Sequence, residues 1–146
     1  MVGKTRGCIG SCLLSVFVLI GMSCGITGCD RINPCQQKEI YRDANPDKIV
    51  DVVISQKDCG ATTSISSLIF IVPRGASVEN FTPILTADHV KGLQVEWIEQ
   101  KQLMIRYSKA RIFNFTNFWH SKNVDNFKYQ IAIREEFVPI EGGRVK

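Results

Sequence analysis

Few residues in this chain combine in ways that could do chemistry. Asp58-Cys59-Gly60-Ala61-Thr62-Thr63 gathers a carboxylate, a thiol and two hydroxyls into one short block. It reads as a corner in which Gly60 takes a positive φ and the threonine hydroxyls satisfy backbone donors. The functional alternative is a polar pocket in which Asp58, Thr62 and Thr63 hold a ligand, although no glycine-rich phosphate loop accompanies them. Asp88-His89 sets a carboxylate beside an imidazole, and His120 is the second of the two histidines. Asp88, His89 and His120 are the raw material of a metal-dependent or acid–base site. Zinc takes three or four ligands at recognisable spacing, and these residues lack it, so no metal or other cofactor is expected. The plain reading is that Ala87-Asp88-His89 ends a strand, with Asp88 bonding the turn before Gly92. A serine or Cys59 activated by a histidine and an orienting acid would be a nucleophile, but spacing along the chain does not bring such partners together.

The N-terminus carries a different chemistry. Lys4 and Arg6 precede an apolar run over residues 9–22, and Ile26-Thr27-Gly28-Cys29 follows it. A basic n-region, an apolar h-region and small residues before a cleavage point make a secretory leader. The four residues ending at Cys29 resemble the lipobox of bacterial lipoproteins: an aliphatic residue, a small or β-branched one, Gly, Ala or Ser, and the cysteine that is acylated. Residues 1–28 are then the signal peptide and Cys29 the lipidation site. The alternative is an uncleaved spanning helix over residues 8–29, near the roughly 20 apolar residues such a helix needs. Gly7, Gly10, Gly21, Gly25 and Gly28 suit a processed segment better.

Cleavage before Cys29 removes Cys8, Cys12 and Cys24, and acylation consumes Cys29, so Cys35 and Cys59 remain. Two cysteines in an oxidising compartment predict one disulfide. A closed loop of about 25 residues is worth roughly 3 kcal/mol in the chain-entropy account. A reactive thiol at Cys59 is the alternative, with no CxxC spacing or neighbouring histidine to favour it. Of 18 basic and 14 acidic side chains, Lys4 and Arg6 leave with the leader, and the remaining charges alternate in sign without a long basic run. Nucleic acid is therefore not an expected partner. The membrane is the expected one, through the lipid anchor: Cys29 lies six residues before Cys35, a reach of about 20 Å. The expected location is the cell envelope, facing the periplasm, and Asp30 resembles an inner-membrane retention signal.

What must position these residues is a set of short strands. Residues 29–37 form the lipidated cysteine and tether, 38–138 one domain, and 139–146 a loose tail. Period-two alternation and turn residues predict strands over residues 39–42, 49–55, 66–72, 84–87, 93–98, 103–107, 111–115 and 127–134. Val50, Val52 and Ile54 share one face, and Asp51 and Ser55 the other. Leu68 and Phe70 oppose Ile69 and Ile71, so residues 66–72 should run through the middle of a sheet. Residues 43–47 make a turn, and 93–98 with 103–107 a hairpin. The fold expected is all-β or strongly β-rich: a small antiparallel meander, sandwich or open barrel with one disulfide. Phe118 and Trp119 are adjacent and cannot both face inward from a regular strand. An exposed Trp119 beside Lys122 would suit a lipid interface or a partner.

The 58–63 block, with Ala87-Asp88-His89, Val95-Glu96-Trp97 and Ala110-Arg111-Ile112-Phe113, resembles a family of small uncharacterised bacterial lipoproteins. In that family a similar Asp-Cys-Gly-Ala-Thr-Thr motif pairs with an earlier cysteine soon after the lipobox. The resemblance covers about residues 29–136 and implies an envelope location and the Cys35–Cys59 bond, with no activity to carry over. The function expected is a non-enzymatic binding or structural module held close to the membrane, with an envelope protein as a candidate partner. The alternatives are an inhibitor or immunity lipoprotein, or a metal-dependent enzyme using Asp88, His89 and His120.

Overall fold

The computed structural model describes residues 35–139. The leader, Cys29, Asp30 and the tail beyond Pro139 lie outside these residues. Nine strands follow one another: β1 Gln36–Ala44, β2 Val50–Asp58, β3 Ser66–Pro73, β4 Leu85–Lys91, β5 Gln94–Glu99, β6 Gln102–Tyr107, β7 Lys109–Phe115, β8 Phe118–His120 and β9 Gln130–Phe137. They form two sheets, ordered β1-β2-β3-β4-β7 and β5-β6-β9-β8. Cys35 and Cys59 are joined in a disulfide that ties the start of β1 to the end of β2.

Two apolar faces meeting face to face make the sandwich. Val50, Val52, Ile54, Ile69 and Ile71 from the five-stranded sheet pack in one buried cluster with Leu103, Ile105, Ile131 and Ile133 from the four-stranded sheet. Alternation along each strand predicts these inward faces, and β3, apolar on both sides, is the middle strand of its sheet. The β5–β6 hairpin forms as its alternation predicts.

Where the structure departs from the sequence reading, long-range pairing is the reason. β7 pairs with β4 in the five-stranded sheet, so residues 116–117 carry the chain back to the other sheet, which it enters as β8. β9 then arrives running parallel to β6, where a simple meander would be antiparallel throughout. β8, three residues long, was not expected and pairs with β9. β9 starts at Gln130 because Asp125, Asn126 and Phe127 all take positive φ and break the extended chain. β1 opens at Gln36, inside the stretch expected to be tether, and the ladder to β2 is interrupted by a bulge at Ile40.

One polar residue locks the two sheets together at the end remote from the disulfide. Asn45, 1% exposed, accepts from the backbone N–H groups of Ile49 (2.9 Å) and Val50 (3.1 Å). Its amide donates to the Gln100 carbonyl in the β5–β6 turn (3.0 Å) and to the Tyr129 hydroxyl (2.8 Å). Tyr129 in turn donates to Asp47 (3.0 Å). Burial, seconded by that carboxylate, pushes the Tyr129 hydroxyl pKa up.

Candidate functional site

The outer face of the five-stranded sheet, turned away from the main core, is divided in two. Directly opposed residues share a face, so cross-strand register lays this surface out in rows. Val53 opposes Phe70, and Asp51 opposes Val72. These rows are roofed by Ala76, Val78 and Phe81 from the β3–β4 connection, making a second apolar cluster. Arg42 clasps that connection: its guanidinium donates to Asp51 (2.9 Å), to both carboxylate oxygens of Glu39 (2.8 Å each) and to the Ala76 carbonyl (3.2 Å). The Gly75 N–H also donates to Asp51 (2.8 Å). The hydrogen bond from Arg42 lowers the Glu39 pKa.

Of the next rows the roof reaches only Leu68. Glu39, Ser55, Leu68 and Thr86 stand side by side across four strands, followed by Gln37, Lys57, Ser66 and Asp88. Together with the edge of the roof these residues, Asp88 excepted, line a groove of about 680 Å³, in which Leu68, Phe70 and Phe81 are apolar and Ser55, Ser66 and Thr86 carry hydroxyls. Cys59 closes one end. Ser55 is fully buried in its lining, and its hydroxyl has no hydrogen-bond partner among the described residues. A buried hydroxyl without a partner costs about 1–3 kcal/mol, so this is an unusual group to leave beneath a groove.

At the rim, the 58–64 loop meets β4. Asp58 accepts from the Gly60 N–H (2.9 Å), and Gly60 has φ +102°. The Thr63 N–H and hydroxyl both reach the Gly60 carbonyl at 3.1 Å, so this threonine donates where sequence reasoning made it an acceptor. Thr62 is exposed. The following residue is the unexpected one: the Ser64 hydroxyl lies 3.3 Å from His89 Nε2. His89 has φ +52° within a bulge of β4. Regular alternation would send neighbouring side chains to opposite faces, whereas here His89 Nδ1 lies 2.9 Å from Asp88 Oδ1.

Asp88 does not bond the turn before Gly92. Ser108 holds that turn, through its N–H (2.9 Å) and hydroxyl (3.0 Å) to the Lys91 carbonyl. The Asp88 carboxylate, 5% exposed, instead takes a two-pronged bond from Arg111 of β7, with Nε at 2.8 Å from Oδ1 and Nη2 on Oδ2. That bond, assisted by His89, holds the Asp88 carboxyl at about 2, below the usual carboxylate range. Arg111 also stacks over the exposed Phe113 ring at 5.1 Å.

The remaining candidates lie elsewhere. His120 sits on β8 in the other sheet, with the rings of Phe118 and Phe127 at 5.3 and 5.2 Å. Among the described residues no three His, Cys, Asp or Glu side chains gather in a way that could hold a metal ion. Trp119 is buried and packs in the main core, so Phe118, 49% exposed, is the outward member of that pair. The neighbour of Trp119 in β9 is Ile131, an inward residue, and this sets the side from which Trp119 enters. Asp58, Thr63, Asp88 and His89 thus belong to one neighbourhood, while His120 and Trp119 do not. Ser64, Ser55 and Arg111 are the functional candidates missed. No local pattern marks Ser64, since its partner depends on a left-handed histidine in a distant strand. Comparison with protein-family models, with curated proteins and with solved structures returns no match.

Proposed function

We propose that this chain is an envelope lipoprotein, anchored through Cys29, whose disulfide-stapled domain binds its ligand in the outer-face groove of the five-stranded sheet. The observation that carries the binding reading is the groove around Ser55. Its lining offers an apolar strip, Leu68 and Phe70, beside a buried hydroxyl without a partner among the described residues, which a ligand polar group could satisfy. The chemistry fits a molecule with an apolar segment and a hydrogen-bonding head. The lipobox and short tether support the placement: Cys59, bonded to Cys35, lies at the groove end, so the groove is within about 20 Å of the anchoring cysteine along an extended chain.

Two measurements test the two halves of this reading. The intact mass of membrane-extracted protein, alkylated with and without reduction, is expected to correspond to residues 29–146 plus acyl groups, with two thiols released only by reduction. An unprocessed mass would overturn the anchor. Titrating the domain with dihexanoyl phosphatidylglycerol below its micelle concentration is expected to shift the Leu68 methyl NMR signals and leave those of Ile131 in place. Unmoved Leu68 signals would overturn the groove as a site for such molecules.

A further inference from the structure

We propose that Ser64, His89 and Asp88 form a nucleophilic relay at the rim of the groove, cleaving a carboxylic ester whose acyl part lies along the groove lining. The choice of substrate rests on the groove being a ligand site, and the relay does not.

The connectivity is what a serine nucleophile requires. Asp88 faces Nδ1 of His89 at 2.9 Å, and Ser64 faces Nε2 at 3.3 Å. With the Nδ1 proton directed to the carboxylate, Nε2 is left as the acceptor for the Ser64 hydroxyl. Asp88 is itself fixed, buried and bonded by Arg111, so the imidazole is oriented from a rigid support. Ser64 is positioned from the other side. Its loop leaves β2 at the Cys35–Cys59 bond and is braced by the Gly60–Thr63 turn. That bracing already holds the loop, so its geometry does not depend on a serine–histidine contact. His89 holds a left-handed backbone that residues with a Cβ adopt at a cost, and the result is that its ring stands on the same side as Asp88. Both reacting groups are open to substrate: Ser64 is exposed and the His89 side chain is 54% exposed.

The groove supplies the substrate class. Ser66, part of its lining, stands directly across from Asp88 on the same face, so the groove runs up to the relay. An ester carbonyl at Ser64 would leave its acyl chain pointing toward Leu68 and Phe70. The Ser64 oxygen attacks the carbonyl carbon as its proton passes to His89 Nε2. The tetrahedral intermediate collapses, breaking the bond to the alcohol oxygen, which leaves with that proton. Water then adds to the acyl-serine, giving its proton to the same nitrogen, and the acid departs as Ser64 recovers its hydroxyl.

The test uses the purified, disulfide-bonded protein with p-nitrophenyl acetate, p-nitrophenyl octanoate and a fluorophosphonate probe. General-base assistance contributes about 10²–10⁴-fold, so hydrolysis is expected to fall at least about 100-fold in Ser64→Ala and in His89→Ala. Fluorophosphonate should add to Ser64 in the wild type and not in the His89→Ala variant. Both substitutions are at exposed positions, and an intact Cys35–Cys59 bond with an unchanged circular dichroism spectrum verifies the fold. Equal hydrolysis by wild type and Ser64→Ala, or no labelling of Ser64, overturns the relay. If octanoate is turned over with a higher kcat/KM than acetate, relay and groove act together. If the two esters are equivalent but both depend on Ser64, the relay stands and the groove reading fails.

Discussion

The roofed and open halves of the outer face of the five-stranded sheet lie on the same strands, two residues apart along each. In the roofed half, Val53 and Val72 are covered by Ala76, Val78 and Phe81, and the one buried carboxylate, Asp51, has both Arg42 and the Gly75 N–H as partners. In the open half, Glu39 and Leu68 flank a buried serine whose hydroxyl is without a partner among the described residues, and the neighbouring row ends in a hydrogen-bonded chain of serine, histidine and aspartate. Burial of polar groups is thus handled oppositely on two parts of one surface. Where they are satisfied, the arrangement explains stability. Where one is left unsatisfied beside a groove, stability gives no reason for it.

Substitutions should separate the halves. Asp51→Ala removes the anchor of the roof and is expected to cost about 3 kcal/mol, read as a lower urea midpoint. Reducing the Cys35–Cys59 bond should cost roughly 3 kcal/mol in the chain-entropy account. Its further effect belongs to the open half alone: the 58–64 loop loosens, and backbone amide exchange should rise there and not at residues 74–81. Asn45→Ala unpairs two backbone N–H groups and the link to Tyr129 and is expected to cost about 2 kcal/mol, by the same urea measurement. Ser55→Ala should go the other way, raising the stability of the ligand-free domain by about 1 kcal/mol. A loss of that size would mean that the hydroxyl has a structural role, and the contrast between the halves would fall.

The last effect is one of pH. Because Arg111 holds Asp88 at about 2, below its ordinary 3.8, the contribution of this carboxylate is complete above about 4 and disappears as pH falls toward 2. The stability difference between wild type and Asp88→Asn should therefore be constant from pH 7 to about 4 and narrow below that. A difference that already shrinks between pH 6 and 5 would show that Arg111 does not hold this carboxyl.

Much of the scaffold was legible in the chain. Val50, Val52 and Ile54 alternate with Asp51 and Ser55, and both faces were assigned as the structure has them. The two-sided apolar run at Leu68–Ile71 placed β3 in the middle of its sheet. What was hidden depends on partners distant in sequence. The parallel pairing of β6 and β9 follows from β7 leaving for the other sheet, which no local pattern records. In Phe118-Trp119, adjacency showed that one ring must face out, but three residues are too short to say which. The site was half visible. Asp58, Thr63, Asp88 and His89 stood out by type, whereas the link from Ser64 to His89 hinges on one backbone angle, φ +52°, that reverses the expected alternation. Ser55 was placed on the correct face, but its lack of a partner is a property of four strands together.

The bulge at Ile40 has a consequence beyond the local register. β1 is an outer strand of its sheet, and among the described residues its far edge has no neighbour, the kind of edge on which another chain can add a strand. The extra residue at Ile40 interrupts the regular spacing of outward N–H and C=O groups, and Lys38 and Arg42 set cationic side chains on either side of it. A second copy laid along β1 would find its ladder broken midway. A second copy of the domain is thereby kept from extending the five-stranded sheet along β1.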